Sequence, residues 1–243
     1  MATAQPIPDQ APLALPNGGE AMLRLRRSDR ARHMMLRIIP ATGEPELVLP
    51  RRTPLGTGLA FARDKAGWLQ RQLDAIPPPV PFADGAEIPL RGKPVTIRRE
   101  DTLFDDIWLS GNTLHVAAAA PVLALAVRAW FRGQARAEFG ARSRRVARTI
   151  GCEVRRVVVR DTMSRWGSCS PSGHISYSWR LILAPDYVID YIVAHEVAHL
   201  QEFNHGSRFW ALVDRLTDHA GPGRAWLREE GGTLHRYGLE PRS

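Results

Sequence analysis

The 243-residue chain has few of the residues and segments that cross-link, export or anchor a protein. Its two cysteines, Cys152 and Cys169, are too few for a disulfide framework, which favours a reducing compartment. No apolar run approaches the ~20 residues that a transmembrane helix requires. The first 20 residues contain neither the basic nor the apolar part of a signal peptide, so we expect a flexible tail over residues 1–20. Together these absences predict a cytoplasmic protein without a membrane partner.

Lysine is also scarce, and arginine supplies nearly all of the positive charge. Only Lys65 and Lys93 are present, although the formal net charge is +8. Several arginines are spaced at multiples of four residues, which places them along one side of a helix. These arginines are Arg128, Arg132, Arg136, Arg144 and Arg148. Because no base-reading motif accompanies them, we favour a solvated helix face over a nucleic-acid interface.

The N-terminal region, residues 21–120, is predicted to be rich in β-strands. Short segments of alternating polarity at 22–27, 35–39, 46–49, 95–99, 107–109 and 113–116 are typical of strands. One helix is predicted at about 54–76, and the proline-rich stretch 77–81 ends it. The sequence shows no internal repeat.

The C-terminal region, residues 121–243, is predicted to contain most of the helices. A long helix is expected at 121–150, and two strands at 156–160 and 175–179 flank a turn-rich connection. A final helix is expected at about 223–237. The predicted fold class is therefore α+β, in which a β-rich N-terminal part precedes a helical domain with a small antiparallel sheet.

The segment 191–200, YIVAHEVAHL, is the most informative part of the chain. It contains the H-E-x-x-H pattern, with His195 and His199 four residues apart on a predicted helix. Residues at this spacing lie on the same helix face, where two imidazoles can bind one metal ion. Glu196 lies between them in an otherwise apolar stretch, and burying a lone carboxylate is costly unless a cation or donor meets it. The pattern therefore predicts a metal site.

A third ligand is predicted from the spacing of His205, six residues after His199. Asn204 and Gly206 favour a turn, and Ser207 can begin a second helix, so the chain can return His205 toward the first two histidines. Catalytic zinc takes three protein ligands and keeps a further position open, which predicts one zinc ion per chain. Nickel, iron and cobalt also bind imidazole. Alternatives to His205 as the third ligand are Asp214, Asp218 and His219.

The chemistry of such a site is hydrolysis. Zinc lowers the pKa of a bound water to about 7 and polarises a carbonyl oxygen, and Glu196 would serve as the general acid and base. An exposed strand near the metal could hold an extended peptide by adding it to the sheet. A second donor for the developing oxyanion is expected. The candidates are Arg165, Tyr177, Arg180 and Tyr191.

Several motifs together resemble those of the YgjP-like metallopeptidases, which are related to the SprT-like and WLM groups. The motifs are SRWGSCS at 164–170, GHI at 173–175, WRL at 179–181, HEVAH at 195–199, NH at 204–205 and FW at 209–210. The resemblance extends from about residue 23 to 237 and implies a minimal zincin-like domain. It implies that His195, His199 and His205 bind zinc and that Glu196 is the catalytic acid and base. It also places the 164–170 motif beside the cleft, with Arg165, Trp166, Gly167 and Ser168 as substrate-binding residues.

The predicted function is that of a zinc-dependent metallopeptidase with a peptide or protein substrate. The alternatives are a basic nucleic-acid-associated module with a structural metal, and a protease that acts on nucleic-acid-bound proteins. Hydrolysis of a non-peptide amide would use the same site. Glu196 favours an enzyme, because a structural zinc site is usually closed by four ligands and needs no adjacent carboxylate.

Overall fold

The computed structural model of the protein describes residues 7–39, 43–101, 106–162 and 165–239. The chain divides into two compact units, unit 1 (Met1–Pro77) and unit 2 (Pro78–Ser243). The predicted α+β class is confirmed, with three small sheets and most of the helical residues in the C-terminal part. The strands expected in the N-terminal region belong to two separate sheets, one in each unit.

Unit 1 contains a four-stranded sheet with the order β1-β2-β4-β3. Its strands are β1 (Gln10–Ala14), β2 (Glu20–Ser28), β3 (Met35–Ile38) and β4 (Pro45–Pro50). Strand β1 lies within the segment expected to be a flexible tail. Ala11 and Leu13 alternate with exposed residues and enter the core, which explains why this part is ordered as a strand. Residues 1–6 of the expected tail lie outside the described ranges.

Two helices pack with this sheet in unit 1: α1 (Leu55–Asp64) and α2 (Ala66–Asp74). The single helix expected at 54–76 is interrupted at Lys65, whose backbone angles (φ −99°, ψ 5°) leave the helical range. The core contains Leu23, Leu47, Leu49 and Leu69. A Cβ atom added to Gly58 would overlap Leu49 Cδ2 and lie 3.3 Å from its Cδ1, so α1 approaches the sheet closely there.

Unit 2 begins with a second four-stranded sheet, of order β5-β6-β8-β7. Its strands are β5 (Glu87–Leu90), β6 (Lys93–Glu100), β7 (Ile107–Ser110) and β8 (Thr113–Ala117). Both four-stranded sheets consist of two antiparallel hairpins joined through one parallel strand pair. The chain therefore repeats a topology that its sequence does not repeat.

The third sheet of unit 2 follows the long helix α3 (Leu123–Thr149). Its strands are β9 (Arg156–Arg160), β10 (Gly167–Cys169) and β11 (His174–Ser178), in the order β10-β11-β9. Strand β10 is antiparallel to β11, whereas β9 is parallel to it, so this sheet is mixed rather than wholly antiparallel. Strand β10 falls in the stretch that was expected to be a connection.

Three helices complete unit 2: α4 (Asp186–Ala198), α5 (Ser207–Leu216) and α6 (Ala220–Glu229). The helix expected at 223–237 is α6 followed by a 3-10 segment, Gly231–Arg236. Arg142 of α3 is 6% exposed and forms ion pairs with Glu138, Asp186 and Asp190, so it belongs to the interior. Within the described ranges, no helix has the length and apolar character needed to cross a membrane.

Candidate metal centre and active-site cleft

Helix α4 is packed into the core and presents two of the three histidines from its C-terminal end. Val188, Ile189 and Val193 are fully buried, which fixes the helix in position. His195 lies in the last turn, and His199 follows the last helical residue with backbone angles that remain helical (φ −66°, ψ −8°). The four-residue offset therefore keeps both rings on one side, with their centroids 5.1 Å apart.

His205 returns to the first two histidines from the connection between α4 and α5. Its ring centroid lies 5.1 Å from that of His195 and 4.8 Å from that of His199. One ligand atom from each histidine lies within 4.8 Å of the other two. Phe209, at the start of α5, packs against all three rings, with centroid distances of 4.5–4.9 Å.

The spacing and chemistry of these nitrogens fit a metal ion. His195 Nε2 and His205 Nε2 are 3.2 Å apart. Two imidazole nitrogens bound tetrahedrally to zinc at about 2.0–2.1 Å would lie about 3.3 Å apart. His199 Nδ1–H donates to the backbone carbonyl of Glu202 at 3.0 Å, which leaves its Nε2 for the cluster. A hydrogen bond of this kind commonly orients metal-binding histidines.

The imidazoles of His195 and His199 are held in the neutral form that binds metals. Burial lowers the pKa of His195 to about 4, and the neighbouring His199 and His205 rings add to this effect. Burial also lowers the pKa of His199. Because neutral imidazole has a free nitrogen lone pair, both rings are prepared for coordination near neutral pH.

Glu196 lies in the same helix turn and is 4% exposed. Its Oε2 atom is buried and has no hydrogen-bond partner among the described residues. Burial raises the pKa of Glu196 to about 8, and the charge of Arg165 partly opposes that rise. An unsatisfied acceptor in the interior is costly, so its position beside three histidines is a second observation that fits a site for a cation and water.

Strand β10 passes directly against Glu196. A Cβ atom added to Gly167 would lie 2.7 Å from Glu196 Cδ and 2.8 Å from its Cγ. Only glycine permits this approach without displacing the carboxylate. In the described part of the chain β10 pairs with β11 alone, so it forms the end of its sheet. A strand edge therefore lies next to the candidate catalytic carboxylate.

A cleft of about 330 Å³ opens onto His195 and Glu196. It contains three of the four predicted substrate-binding residues, namely Arg165, Trp166 and Gly167. Ser168 is not among the cleft residues and instead lines a groove on the outer face of the three-stranded sheet. The alternation of side chains along β10 explains this, because adjacent residues point to opposite faces. Ser164, the first residue of the same motif, lies outside the described ranges.

The structure separates the four expected oxyanion donors into two pairs. Arg165 and Tyr191 line the cleft. The Tyr177 hydroxyl is buried and hydrogen-bonded to Ser143 at 2.8 Å. Arg180 is buried and donates to Asp161 at 2.8 Å and to the backbone carbonyl of Tyr237 at 2.7 Å. Tyr177 and Arg180 are therefore committed to the interior and do not line the cleft.

Helix α6 supplies cleft residues that the sequence did not indicate. Arg224 lines the cleft, and its guanidinium lies 4.9 Å from the centre of the Trp210 ring. A Cβ atom added to Gly223 would overlap Tyr191 Cβ and lie 2.8 Å from its Cγ, so α6 packs closely on α4. A glycine followed by arginine is not a recognised sequence motif. The sequence predicted only a helix in this segment, from Trp226 and Leu227.

Comparison with protein families gives an independent result. Residues 32–230 match the family model described as YgjP-like, metallopeptidase domain. No curated protein and no solved structure matches the chain in the corresponding comparisons. The matched range covers most of the sequence and includes the histidine cluster, Glu196 and all three sheets in part or whole. The chain belongs to the YgjP-like metallopeptidase family.

Proposed function

We propose that the protein is a zinc-dependent peptidase that cleaves peptide bonds in the cleft beside α4. The observation that supports this most strongly is the buried, unpartnered Glu196 oxygen next to three clustered imidazoles. A structural zinc is normally closed by four protein ligands. In the described ranges the cluster contains three, His195, His199 and His205, which favours a catalytic site.

The three histidines would hold the metal ion, and Glu196 would move the proton. A bound zinc ion lowers the pKa of water and polarises a carbonyl group. Glu196 accepts a proton from the attacking water and delivers it to the leaving nitrogen of the cleaved bond. The closeness of Gly167 to the carboxylate limits the positions that Glu196 can adopt, which keeps it aligned for both transfers.

Arg165 and Tyr191 are the donors that we propose for the carbonyl oxygen of the substrate. Both line the cleft with Glu196. Burial raises the pKa of the Tyr191 hydroxyl, so this group retains its proton and can donate a hydrogen bond. Donors that are already in place when charge develops on the oxygen stabilise the transition state.

The edge of β10 is the proposed docking site for the substrate backbone. Gly167 belongs both to this strand and to the cleft. An extended peptide that pairs with the strand would therefore run past Glu196. Because Gly167 has no side chain, the peptide backbone can approach the carboxylate closely.

The test uses the full chain, elemental analysis and a peptide library derived from cellular proteins. We expect about one zinc ion per chain and cleavage that a chelator abolishes. Glu196→Gln should retain the metal and lower kcat/KM by about 10²–10⁴-fold, because only the proton transfer is removed. Glu153→Gln, at an exposed glutamate of the same unit, is the matched control. Cleavage by Glu196→Gln at the wild-type rate would refute the proposal.

A further inference from the structure

The outer face of the three-stranded sheet forms a groove of about 710 Å³. Alternate residues of β9 and β11 point into it, while their neighbours face the interior, and β10 contributes Gly167, Ser168 and Cys169. We call this surface the outer groove. Its charged and hydroxyl-bearing residues include Arg156, Arg160, Arg165, Ser168, His174 and Ser176.

The outer groove has positive charge that the described residues do not neutralise. Arg156, Arg160 and Arg165 are exposed and form no ion pair with any residue in the described ranges. No aspartate or glutamate is present among the described residues that line it. Elsewhere in unit 2, Arg142 and Arg180 are each paired with carboxylates. The groove therefore offers unpaired guanidinium groups together with serine hydroxyls, which is a donor set for anions.

The outer groove is continuous with the cleft beside Glu196. Arg165 and Gly167 line both the groove and the cleft. Arg224 adds positive charge inside the cleft. Because β11 separates β10 from β9, a chain with one peptide bond at Glu196 would meet Arg165 first, and residues that pass over Gly167 onto the outer face of the sheet would then reach Arg156 and Arg160.

We infer that the outer groove selects substrates with acidic residues on one side of the cleaved bond. This inference rests on the proposed peptidase function and specifies its substrate class. The carboxylates of the peptide would meet Arg165 at the cleft and then Arg156 and Arg160, where the flanking residues leave the edge of β10 and cross the outer face of the sheet. Opposite charges attract the substrate to the cleft and raise the association rate, an effect that salt weakens.

An acidic peptide fits these residues better than a single-stranded nucleic acid. Proteins that bind single strands usually combine positive charge with aromatic side chains that stack on bases. Among the described residues, the lining of the outer groove contains no phenylalanine, tyrosine or tryptophan. Arg165 and Gly167, which line both the groove and the cleft, instead suit a peptide whose backbone also occupies the cleft.

The experiment compares three quenched fluorescent peptides that share one cleavable centre and differ in their flanking residues. The flanks are glutamate, serine or lysine, and the zinc-loaded full chain is used at low and high salt. We expect kcat/KM to be about 10-fold higher for the glutamate peptide than for the serine peptide at low salt, and lowest for the lysine peptide. The preference should shrink as salt rises.

Two groove variants and one control assign this preference to the groove. In Arg156→Gln/Arg160→Gln the ratio of kcat/KM for the glutamate and serine peptides should fall close to one. Arg132→Gln/Arg136→Gln removes the same charge from exposed positions on α3 and should leave the ratio unchanged. Ser172→Glu, which adds a carboxylate at an exposed turn of the groove, should lower the ratio. Circular dichroism checks the fold of each variant.

A binding measurement separates this inference from the peptidase proposal. Fluorescence anisotropy of the glutamate and serine peptides on Glu196→Gln reports affinity without cleavage. The wild-type protein could cleave none of the peptides while the glutamate peptide still binds about 10-fold more tightly than the serine peptide, in a way that depends on Arg156 and Arg160. In that case the peptidase proposal fails and the groove assignment stands. Equal affinity for the two peptides would overturn the assignment. Tighter, arginine-dependent binding of a single-stranded oligonucleotide would also overturn it.

Discussion

The two four-stranded sheets, one in each unit, have the same strand order and the same pairing directions, but among the described residues only the sheet of unit 1 contains a buried charged side chain. In unit 1, Glu46 is 3% exposed and pairs with Arg26 and Arg37, which remain partly exposed. In unit 2 the buried charges lie outside the four-stranded sheet: Arg180, in the 3-10 segment Trp179–Leu183, is 3% exposed and pairs with the more exposed Asp161. The same topology is therefore compatible with different interiors, since each buried charge needs only a partner at the surface.

Each unit contains a glycine that allows one structural element to pack closely against another. Gly58 in unit 1 allows α1 to approach the apolar side chain of Leu49. Gly167 in unit 2 allows β10 to approach the carboxylate of Glu196. The first contact stabilises packing, whereas the second also positions a reactive group. Changes in unit 1 should therefore affect stability alone, and changes around β10 should affect catalysis.

The largest effect is expected at the histidine cluster. His205→Ala removes one of three proposed ligands, and loss of even an indirect partner of a metal ligand costs about 10–100-fold in affinity. We therefore expect zinc affinity to fall by more than about 100-fold, as measured by competition with a chromophoric chelator. His33→Ala, at an exposed histidine of unit 1, is the control. Unchanged zinc affinity in His205→Ala would exclude His205 as a ligand.

The buried ion pair of unit 2 should make its stability depend on acid. Burial alone would raise the pKa of the Asp161 carboxyl, but the hydrogen bond and charge of Arg180 outweigh it and lower that pKa. Because the pKa is lowered in the folded state, the ionised carboxyl stabilises the protein at pH values above the unfolded-state pKa of about 3.9. This contribution is lost as the pH falls through the folded-state pKa. Asp161→Asn should therefore lower the free energy of unfolding by about 1.5–3 kcal/mol at pH 6.

The difference between wild type and Asp161→Asn should shrink below about pH 4. Tryptophan fluorescence during urea unfolding measures it, because six of the seven tryptophans lie in unit 2 and only Trp68 lies in unit 1. A difference that stays constant from pH 6 to pH 3 would contradict the pairing of Asp161 with Arg180.

The next effect concerns the contact of β10 with Glu196. Gly167→Ala forces the carboxylate to move, and a displacement of about 1 Å near reacting groups can lower activity by 10²-fold. We expect kcat/KM to fall by about 10–100-fold while the zinc content is retained. Gly58→Ala introduces comparable crowding in unit 1 and should leave kcat/KM unchanged. Equal activity of Gly167→Ala and wild type would show that Gly167 does not position Glu196.

The smallest effect is expected at the glycines of α1. Gly58→Ala crowds Leu49 and should destabilise unit 1 by about 1 kcal/mol, because overpacking outweighs the gain in helix propensity. Gly56 lies in the same helix, and a Cβ atom added to it would have no atom within 4 Å. Gly56→Ala should therefore stabilise unit 1 by a similar amount. Thermal unfolding followed by circular dichroism measures both. Stabilisation by both substitutions would show that α1 does not approach the sheet at Gly58.

Local patterns predicted much of the fold. The alternating segments of unit 1 and the spacing of hydrophobic residues in α3 and α4 appear close to their expected positions, because side-chain period reflects the geometry of each element. Strands β5 and β10 were not predicted. Pro89 lies within β5, and β10 has only three residues, so neither has the pattern of a strand. These two segments form strands because they pair with neighbouring strands of their sheets.

The sequence by itself determined the clustering of His195 and His199, the place of Glu196 between them, and the family. These follow from spacing within one helix, where four residues make about one turn. Only the tertiary structure decided that Gly167 contacts Glu196, that Arg224 enters the cleft, and that Arg180 is committed to the interior. Such contacts join segments that are distant in the chain, and the packing of the whole unit, rather than any local pattern, brings them together.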